Sequence, residues 1–533
     1  MKSVNLVSNL LDDTAQRRPA SVALRHRSIS LDYGTLAGQV DRCAAGLLGL
    51  DCQRRDRVAV YLPKQFETVV AMFGAARAGL VFVPVNPILK APQVEHILRD
   101  CNVRVLVTSP ERAAALGESL GRCLDLRELV LVGPDSGSAG VVVQGIAATP
   151  WSALLDASPT LAGHRVIDSD MAAILYTSGS TGKPKGVVLS HRNMTCGAYS
   201  VASYLENNAN DRLLAVLPFS FDYGFSQLST AFSAGASVTL MEYLFPRDIP
   251  ALAAREQITG LAAVPPLWSQ LADLEWPGVA QRTLRYITNS GGTMPGATLR
   301  KLRGALPSTR VFLMYGLTEA FRSTYLPPDQ IDRRVGSMGK AIPNAEIMVV
   351  RPDGTPCLPN EAGELVHRGS LVALGYWNDV EKTAERFRPA PGQPAGLKLS
   401  EIAVWSGDTV RMDEDGYVYF VGRRDEMIKT SGYRVSPSEV EEVAFASGLV
   451  GDAAAVGVPH ASLGQVIALV ATAAPGKAAD TDALLSICRR DLPAYMVPAW
   501  VVWRDEMPRN PNGKYDRSLL ARELQEHLAQ ATT

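Results

Sequence analysis

Short apolar runs alternate with helical stretches along most of this chain, and that alternation limits the fold more than any other feature. Val58-Ala59-Val60-Tyr61-Leu62, Val81-Phe82-Val83 and Val103-Arg104-Val105-Leu106-Val107 read as strands, with a helix from Phe66 to Ala78, closed by Gly79, between the first two. Asp32 opens another helix, whose apolar positions Tyr33, Leu36, Val40, Ala44 and Leu47 recur at helical spacing. Similar units continue to about Leu313, which argues an α/β fold with a parallel, helix-covered sheet. From 336 to 421 the pattern changes to short strands with turn signals, Pro352-Asp353-Gly354 and Asp413-Glu414-Asp415-Gly416, and predicts a small antiparallel barrel or sheet. Past Arg423, Ser436-Pro437-Ser438-Glu439 reads as a capping box, followed by strands near 453–458 and 466–473 and a helix near 482–491. The expected organisation is a large N-terminal domain, 1–424, of two βαβ-type subdomains plus a small β-barrel, then a small α+β C-terminal domain, 425–533.

The 533 residues carry a net charge of -1 and no run of like charges, so neither nucleic acid nor an anionic membrane is an expected partner. Seven cysteines without a C-x-x-C pair argue reduced thiols rather than a zinc or disulfide framework. The N-terminus lacks the form of a signal peptide and no apolar run is long enough to span a bilayer, which together predict a cytoplasmic protein.

Between the apolar runs ending at Tyr176 and beginning at Val187 lies Thr177-Ser178-Gly179-Ser180-Thr181-Gly182-Lys183-Pro184-Lys185-Gly186. Its density of backbone N–H, hydroxyl and ammonium donors suits a polyphosphate, although such a cluster is also what a solvated loop looks like. Pro184 after Lys183 disfavours the helix that a Walker loop needs, so a phosphate loop of another kind is expected. Tyr315-Gly316-Leu317-Thr318-Glu319 follows an apolar run and should emerge at a sheet's carboxyl edge, with Glu319 either a magnesium ligand or a first-turn helix acid. Asp408, Arg423 and Lys514, each read alone, are ordinary turn residues.

Their order and spacing together resemble the adenylate-forming superfamily: acyl- and aryl-CoA synthetases, peptide-synthetase adenylation domains and firefly luciferase. The resemblance rests on four motifs, at 176–186, 315–319, 406–408 and 512–517. It implies that Thr177, Ser178, Gly179, Ser180, Thr181, Gly182 and Lys185 wrap the phosphates of ATP, with Thr318 near the α-phosphate and Glu319 on Mg2+. Tyr315 and Gly316 would lie against the adenine beside Gly291 and Gly292, and Asp408 would accept from the ribose with help from Arg423. Lys514 would bridge the substrate carboxylate and the α-phosphate; positioning and charge stabilisation supply most of the rate in such a step. A hinge at Asp425 would make the C-terminal domain mobile, exchanging Lys514 for the stretch containing Lys429 and Gly432, which would line a path for a pantetheine thiol.

The resemblance thus implies an ATP-dependent, AMP-forming acid–thiol ligase: a carboxylate becomes an adenylate with loss of pyrophosphate, then a thioester on CoA or on the phosphopantetheine of a separate carrier protein. Little chain follows Lys514, which argues against a fused carrier domain. Phe221-Asp222 stands where acyl-CoA synthetases usually show an aromatic residue followed by histidine, and looks more like amino-acid adenylation domains, in which the aspartate pairs with the substrate ammonium. The same Asp222 also suits a helix cap; if buried, it needs a cationic partner or a hydrogen-bond network. The expected acid is an amino acid or other small carboxylic acid, with Phe221, Asp222, Tyr223, Ser226, Trp268, Ser290 and Met314 as pocket walls. Fatty or aryl acyl-CoA synthesis is the alternative, followed by a luciferase-like monooxygenase or a non-catalytic nucleotide sensor. Stretches 312–328 and 402–443 also resemble a bacterial subgroup of acyl-CoA ligases associated with exosortase gene neighbourhoods.

Overall fold

The computed structural model describes residues 6–134, 145–158, 163–177, 184–292, 294, 296–394, 396–423, 427–508 and 517–531. The first βαβ unit forms as its sequence predicts: Arg57–Tyr61 pairs in parallel with Val81–Pro84, joined by the helix Phe66–Ala78, which Gly79 closes at φ +80°. Around them an eight-stranded sheet runs from Gly375–Tyr376 through Lys185–Ser190 and Met171–Thr177 to Ala147–Pro150 at the far edge. That edge strand lies in a stretch whose Gly/Ser/Ala content reads only as a surface connection, because strand pairing is set by its neighbour Glu128–Leu131.

A second sheet has a parallel half from Val22–His26 to Arg310–Tyr315 and continues through Thr324–Leu326 and Ser337–Ala341 into the antiparallel strands of 345–423. The expected small barrel is therefore hydrogen-bonded into this sheet rather than standing apart. The third sheet, from Ile428–Thr430 to Trp500–Trp503, packs with the helices Pro437–Ala446 and Thr481–Asp491 on its own core as a smaller α+β unit. Among the described residues no helix is long and apolar enough to cross a membrane.

The two large sheets are joined through the helices Phe66–Ala78 and Asp222–Ala234. Phe225 stacks on Phe82 at 5.3 Å and Phe232 meets Phe73 edge-on at 5.3 Å. Every residue from Asp222 to Phe232 is buried, as expected of a helix covered on all sides. Gly224 permits its first turn: a Cβ there would lie 1.9 Å from the Pro218 carbonyl oxygen. The packing of the two sheets thus delivers Asp222, at the start of this helix, to the space between them.

The capping box at Ser436 does not close. Ser436 precedes the helix but makes no side-chain cap, and its hydroxyl and Glu439 Oε1 have no hydrogen-bond partner among the described residues. Glu439 instead lines the cavity described next, where burial and Glu442 push its carboxyl up to about 8.

Candidate active site

A cavity of about 760 Å3 opens at the carboxyl ends of the strands Met171–Thr177, Tyr286–Asn289 and Arg310–Tyr315, the usual place for ligands in an α/β sheet. On one side the Tyr315 hydroxyl donates to Asp408 Oδ2 at 2.5 Å. Asp408 is 4% exposed, its N–H donates to Ser406 Oγ at 3.1 Å, and it stands opposite Arg423 in the strand register. Aromatic face and carboxylate are thereby fixed together, and Gly291, Gly292, Gly316 and Thr318 line the same cavity. Ser178 to Gly182, Asp425 and Lys514 lie outside the described residues, as does the Arg423 side chain.

The strands entering and leaving the hydroxyl-rich loop pair directly, Thr177 opposite Lys185. Both sides are tied to the helix Ala91–Asp100: Tyr176 donates to Asp100 Oδ2 at 2.5 Å, and His96 Nε2 lies 3.0 Å from the Pro184 carbonyl oxygen. Thr177 lines the cavity, whereas the half-buried Lys185 does not; its ammonium lies 5.8 Å from the Tyr376 ring. Burial, and then Lys382, lower its pKa.

Glu319 is not part of the lining. Its Oε1 accepts from the Tyr376 hydroxyl at 2.6 Å and its Oε2 has no hydrogen-bond partner among the described residues. Burial, then Glu319, raise the Tyr376 pKa, so the phenol remains a donor. A carboxylate held by one oxygen with the other free fits Mg2+, which takes one or two protein carboxylates and completes its shell with phosphate and water. Among the described residues there is no cluster of three His, Cys, Asp or Glu that would make a cage from protein alone.

Phe221, Asp222, Ser290 and Met314 also line the cavity. Asp222 is 4% exposed; burial lifts its pKa against the opposing pull of Arg322 and a long hydrogen bond, 3.4 Å, from Thr318 Oγ1. The cationic partner required by a buried carboxylate is Arg322, whose Nη2 stands 4.0 Å from Asp222 Oδ2. Sequence reading does not find Arg322. The only local signal is a charge three residues past the Tyr315–Glu319 motif, next to Phe321.

Three expected walls stand elsewhere. Tyr223 and Ser226 border a separate cavity of about 30 Å3 behind the first, Tyr223 with its hydroxyl 2.5 Å from Thr288 Oγ1. Trp268 is fully buried and donates to the Ala263 and Thr288 carbonyls. The helix Asp222–Ala234 turns Tyr223 and Ser226 away from the larger cavity, and Trp268 is buried on the separate helix Pro265–Leu271, orientations that sequence spacing does not reveal.

Another part of the lining comes from the small α+β unit. Lys429, Gly432 and Tyr433 line it; Tyr433 stacks on Tyr495 at 3.8 Å, and Gln93 donates to the Asp491 carbonyl at 3.1 Å across the same junction. Gly432, at φ +81°, approaches Val264 so closely that a Cβ would lie 2.7–2.9 Å from three of its side-chain atoms.

Glycine turns, a hydrogen-bonded tyrosine–aspartate pair and a carboxylate with one free oxygen at the ends of parallel strands define the class: a nucleotide-using α/β enzyme. The chain belongs to the AMP-binding enzyme family, whose model matches residues 11–377, while that of the AMP-binding enzyme C-terminal domain matches 439–514. Its class is the ATP-dependent, AMP-forming ligases. It is 34% identical over 526 residues to an L-proline--[L-prolyl-carrier protein] ligase of Streptomyces coelicolor, covering 95% of this chain and 94% of that protein. It is 29% identical over 520 residues, 96% of this chain, to a linear gramicidin synthase of Brevibacillus parabrevis, a far longer protein of which the chain spans only 6%. Among solved structures, it superimposes with a TM-score of 0.81 and 25% identity on an o-succinylbenzoate CoA synthetase of Bacillus subtilis bound with its product analogue, covering 96% of this chain and 97% of the other.

Proposed function

We propose that this protein is an acid–thiol ligase that activates an amino acid, or another small acid bearing an amine, and transfers it to a phosphopantetheine thiol. One observation carries the reading: a single cavity is lined by the Tyr315–Asp408 pair, by the buried carboxylate of Asp222 and by the turn at Gly432. In the first half-reaction a substrate carboxylate oxygen attacks the α-phosphorus of ATP, and the bond to the bridging oxygen of pyrophosphate breaks. Tyr315 and Asp408 hold the nucleoside, Thr177 and Thr318 face the phosphates, and Lys514 neutralises charge at the reacting oxygens. Glu319 would hold Mg2+, which when bound would supply charge neutralisation on the phosphates. In the second, the thiol sulfur bonds to the acyl carbon as the bond to AMP breaks, and the thiol proton is released to solvent; Gly432 and Lys429 border the thiol's approach.

Asp222 supports an amine-bearing acid because its carboxylate faces the cavity, and a substrate ammonium there restores the hydrogen bonding that burial removes. Likeness to a prolyl-carrier ligase and to a CoA synthetase leaves both a carrier protein and CoA as acceptor classes. The test is ATP–pyrophosphate exchange over amino acids, fatty acids and aryl acids with the native protein and Asp222→Ala. Amino acids are expected to drive exchange and the variant to lose at least about tenfold of it, the value of one charge-assisted hydrogen bond. Fatty-acid exchange untouched by the substitution would refute the amino-acid assignment.

A further inference from the structure

Asp222 has a counter-charge, but one held back from it. Phe321, fully buried and at φ +56°, packs where a Cβ on Gly197 would lie 2.4 Å from its ring. Such a backbone is unusual for a bulky residue and is sustained by its surroundings. The next residue, Arg322, is 1% exposed, its guanidinium 4.8 Å from the Tyr223 ring centre and its Nη1 donating to Ser290 Oγ at 3.0 Å. Its Nε and Nη2 have no hydrogen-bond partner among the described residues, and Nη2 stops 4.0 Å short of Asp222 Oδ2.

Other arginines of this chain behave differently. Arg351 on Glu361, Arg122 on Glu95 and Arg192 on Asp168 each close the Nε and Nη2 edge on both carboxylate oxygens at 2.5–3.0 Å. At 4.0 Å the Coulomb attraction in a buried setting remains large, while Arg322 itself donates to no lone pair of Asp222. Arg322 is thus near enough to stabilise negative charge and too far to replace a ligand as donor.

We propose that Arg322 is a positioning residue, whose fixed charge holds Asp222 as a carboxylate without taking Oδ2 as a hydrogen-bond acceptor, so that the site selects acids bearing an ammonium group. This rests on the amino-acid reading given above. Burial raises the Asp222 pKa overall; Arg322 is the largest influence opposing that rise, and Glu319, the other charged group acting on it, adds to it. Without Arg322 the cheaper response is for Asp222 to take up a proton, which removes the acceptor an ammonium needs.

The test is pyrophosphate exchange with matched acids: L-norvaline against pentanoate, L-phenylalanine against 3-phenylpropanoate, and L-proline against cyclopentanecarboxylate. The native protein should prefer the amine of at least one pair. Arg322→Met should reduce that preference at about pH 7 by about tenfold or more, through KM for the amine, since each unit by which a pKa rises past the assay pH leaves a tenth of the carboxylate. At about pH 8.5 part of the preference should return, and Arg322→Lys should retain it at both values. Asp222→Asn should lose the preference without recovery; if Arg322→Met does not melt cooperatively, Arg322→Gln takes its place. A native protein that prefers the amine, with a variant that keeps the preference or loses it equally at both pH values, overturns the role of Arg322. So does loss of exchange with the amine-free acids to the same extent, which would mean direct contact with the acid. A native protein indifferent to the amine refutes the amino-acid reading itself, and the proposal with it.

Discussion

Replacing Gly432 by alanine should separate the two half-reactions. The new Cβ would lie 2.7–2.9 Å from Val264 Cγ2, Cβ and Cγ1, all within the wall of the large domain, at a backbone φ of +81°. Overpacking costs about 1–3 kcal/mol against this docking, or about 5- to 140-fold at 1.4 kcal/mol per factor of ten, while the about 1–2 kcal/mol of a side chain in the left-handed region stays with the turn in either position. The turn relieves the overpacking by withdrawing from Val264, and if this docking serves thiol transfer, only transfer suffers. The assay follows pyrophosphate exchange for adenylate formation and, separately, single-turnover thioester formation from a supplied acyl-adenylate, with CoA and with a phosphopantetheinylated carrier as acceptors. Thioester formation should fall by at least the lower bound while exchange changes by less than about threefold, the range of ordinary context effects. Equal losses in both, or normal transfer, would refute the assignment of this arrangement to the second step.

Lys514→Ala should abolish pyrophosphate exchange yet leave transfer from a supplied acyl-adenylate largely intact; equal loss of both steps would exclude the bridging role. Stability should peak near neutral pH. Burial depresses His367 to about 3 and His191 to about 4, so both fold neutral; below about 6.5 the unfolded chain binds the extra protons and stability falls on acidification. Glu439 has the opposite sign: raised to about 8, it holds a proton when folded, and stability falls as pH rises through the window between its ordinary range and about 8. Each group contributes at most about 1.4 kcal/mol per pH unit, so urea midpoints should decline on both sides of about pH 6.5 and Glu439→Gln should remove most of the alkaline decline. A decline on that side unchanged in Glu439→Gln would refute the assignment to Glu439.

Much of the scaffold follows from local sequence. The helix Phe66–Ala78 ends at Gly79 because glycine alone takes the left-handed closing position at no steric cost, and the strand ends at Tyr176 and Tyr315 follow from apolar runs that stop at polar loops. The capping box at Ser436 reads equally well and fails, since Glu439 faces the cavity instead of its own helix terminus. A local hydrogen bond is worth about 1 kcal/mol, and tertiary placement overrides it.

By itself the sequence determined the alternation of strands and helices, the places where chemistry-bearing loops emerge, and through its motifs the family to which the chain belongs. Those are properties of short stretches, fixed by backbone preferences and by residue types at close spacing. Only the tertiary structure decided that Tyr223, Ser226 and Trp268 stay out of the lining of the large cavity while Arg322, a hundred residues from Asp222, stands 4.0 Å from it. The physical reason is that burial, and the pairing of charges across it, depend on how two sheets and their helices pack, and no local pattern encodes which distant side chain will supply the missing charge.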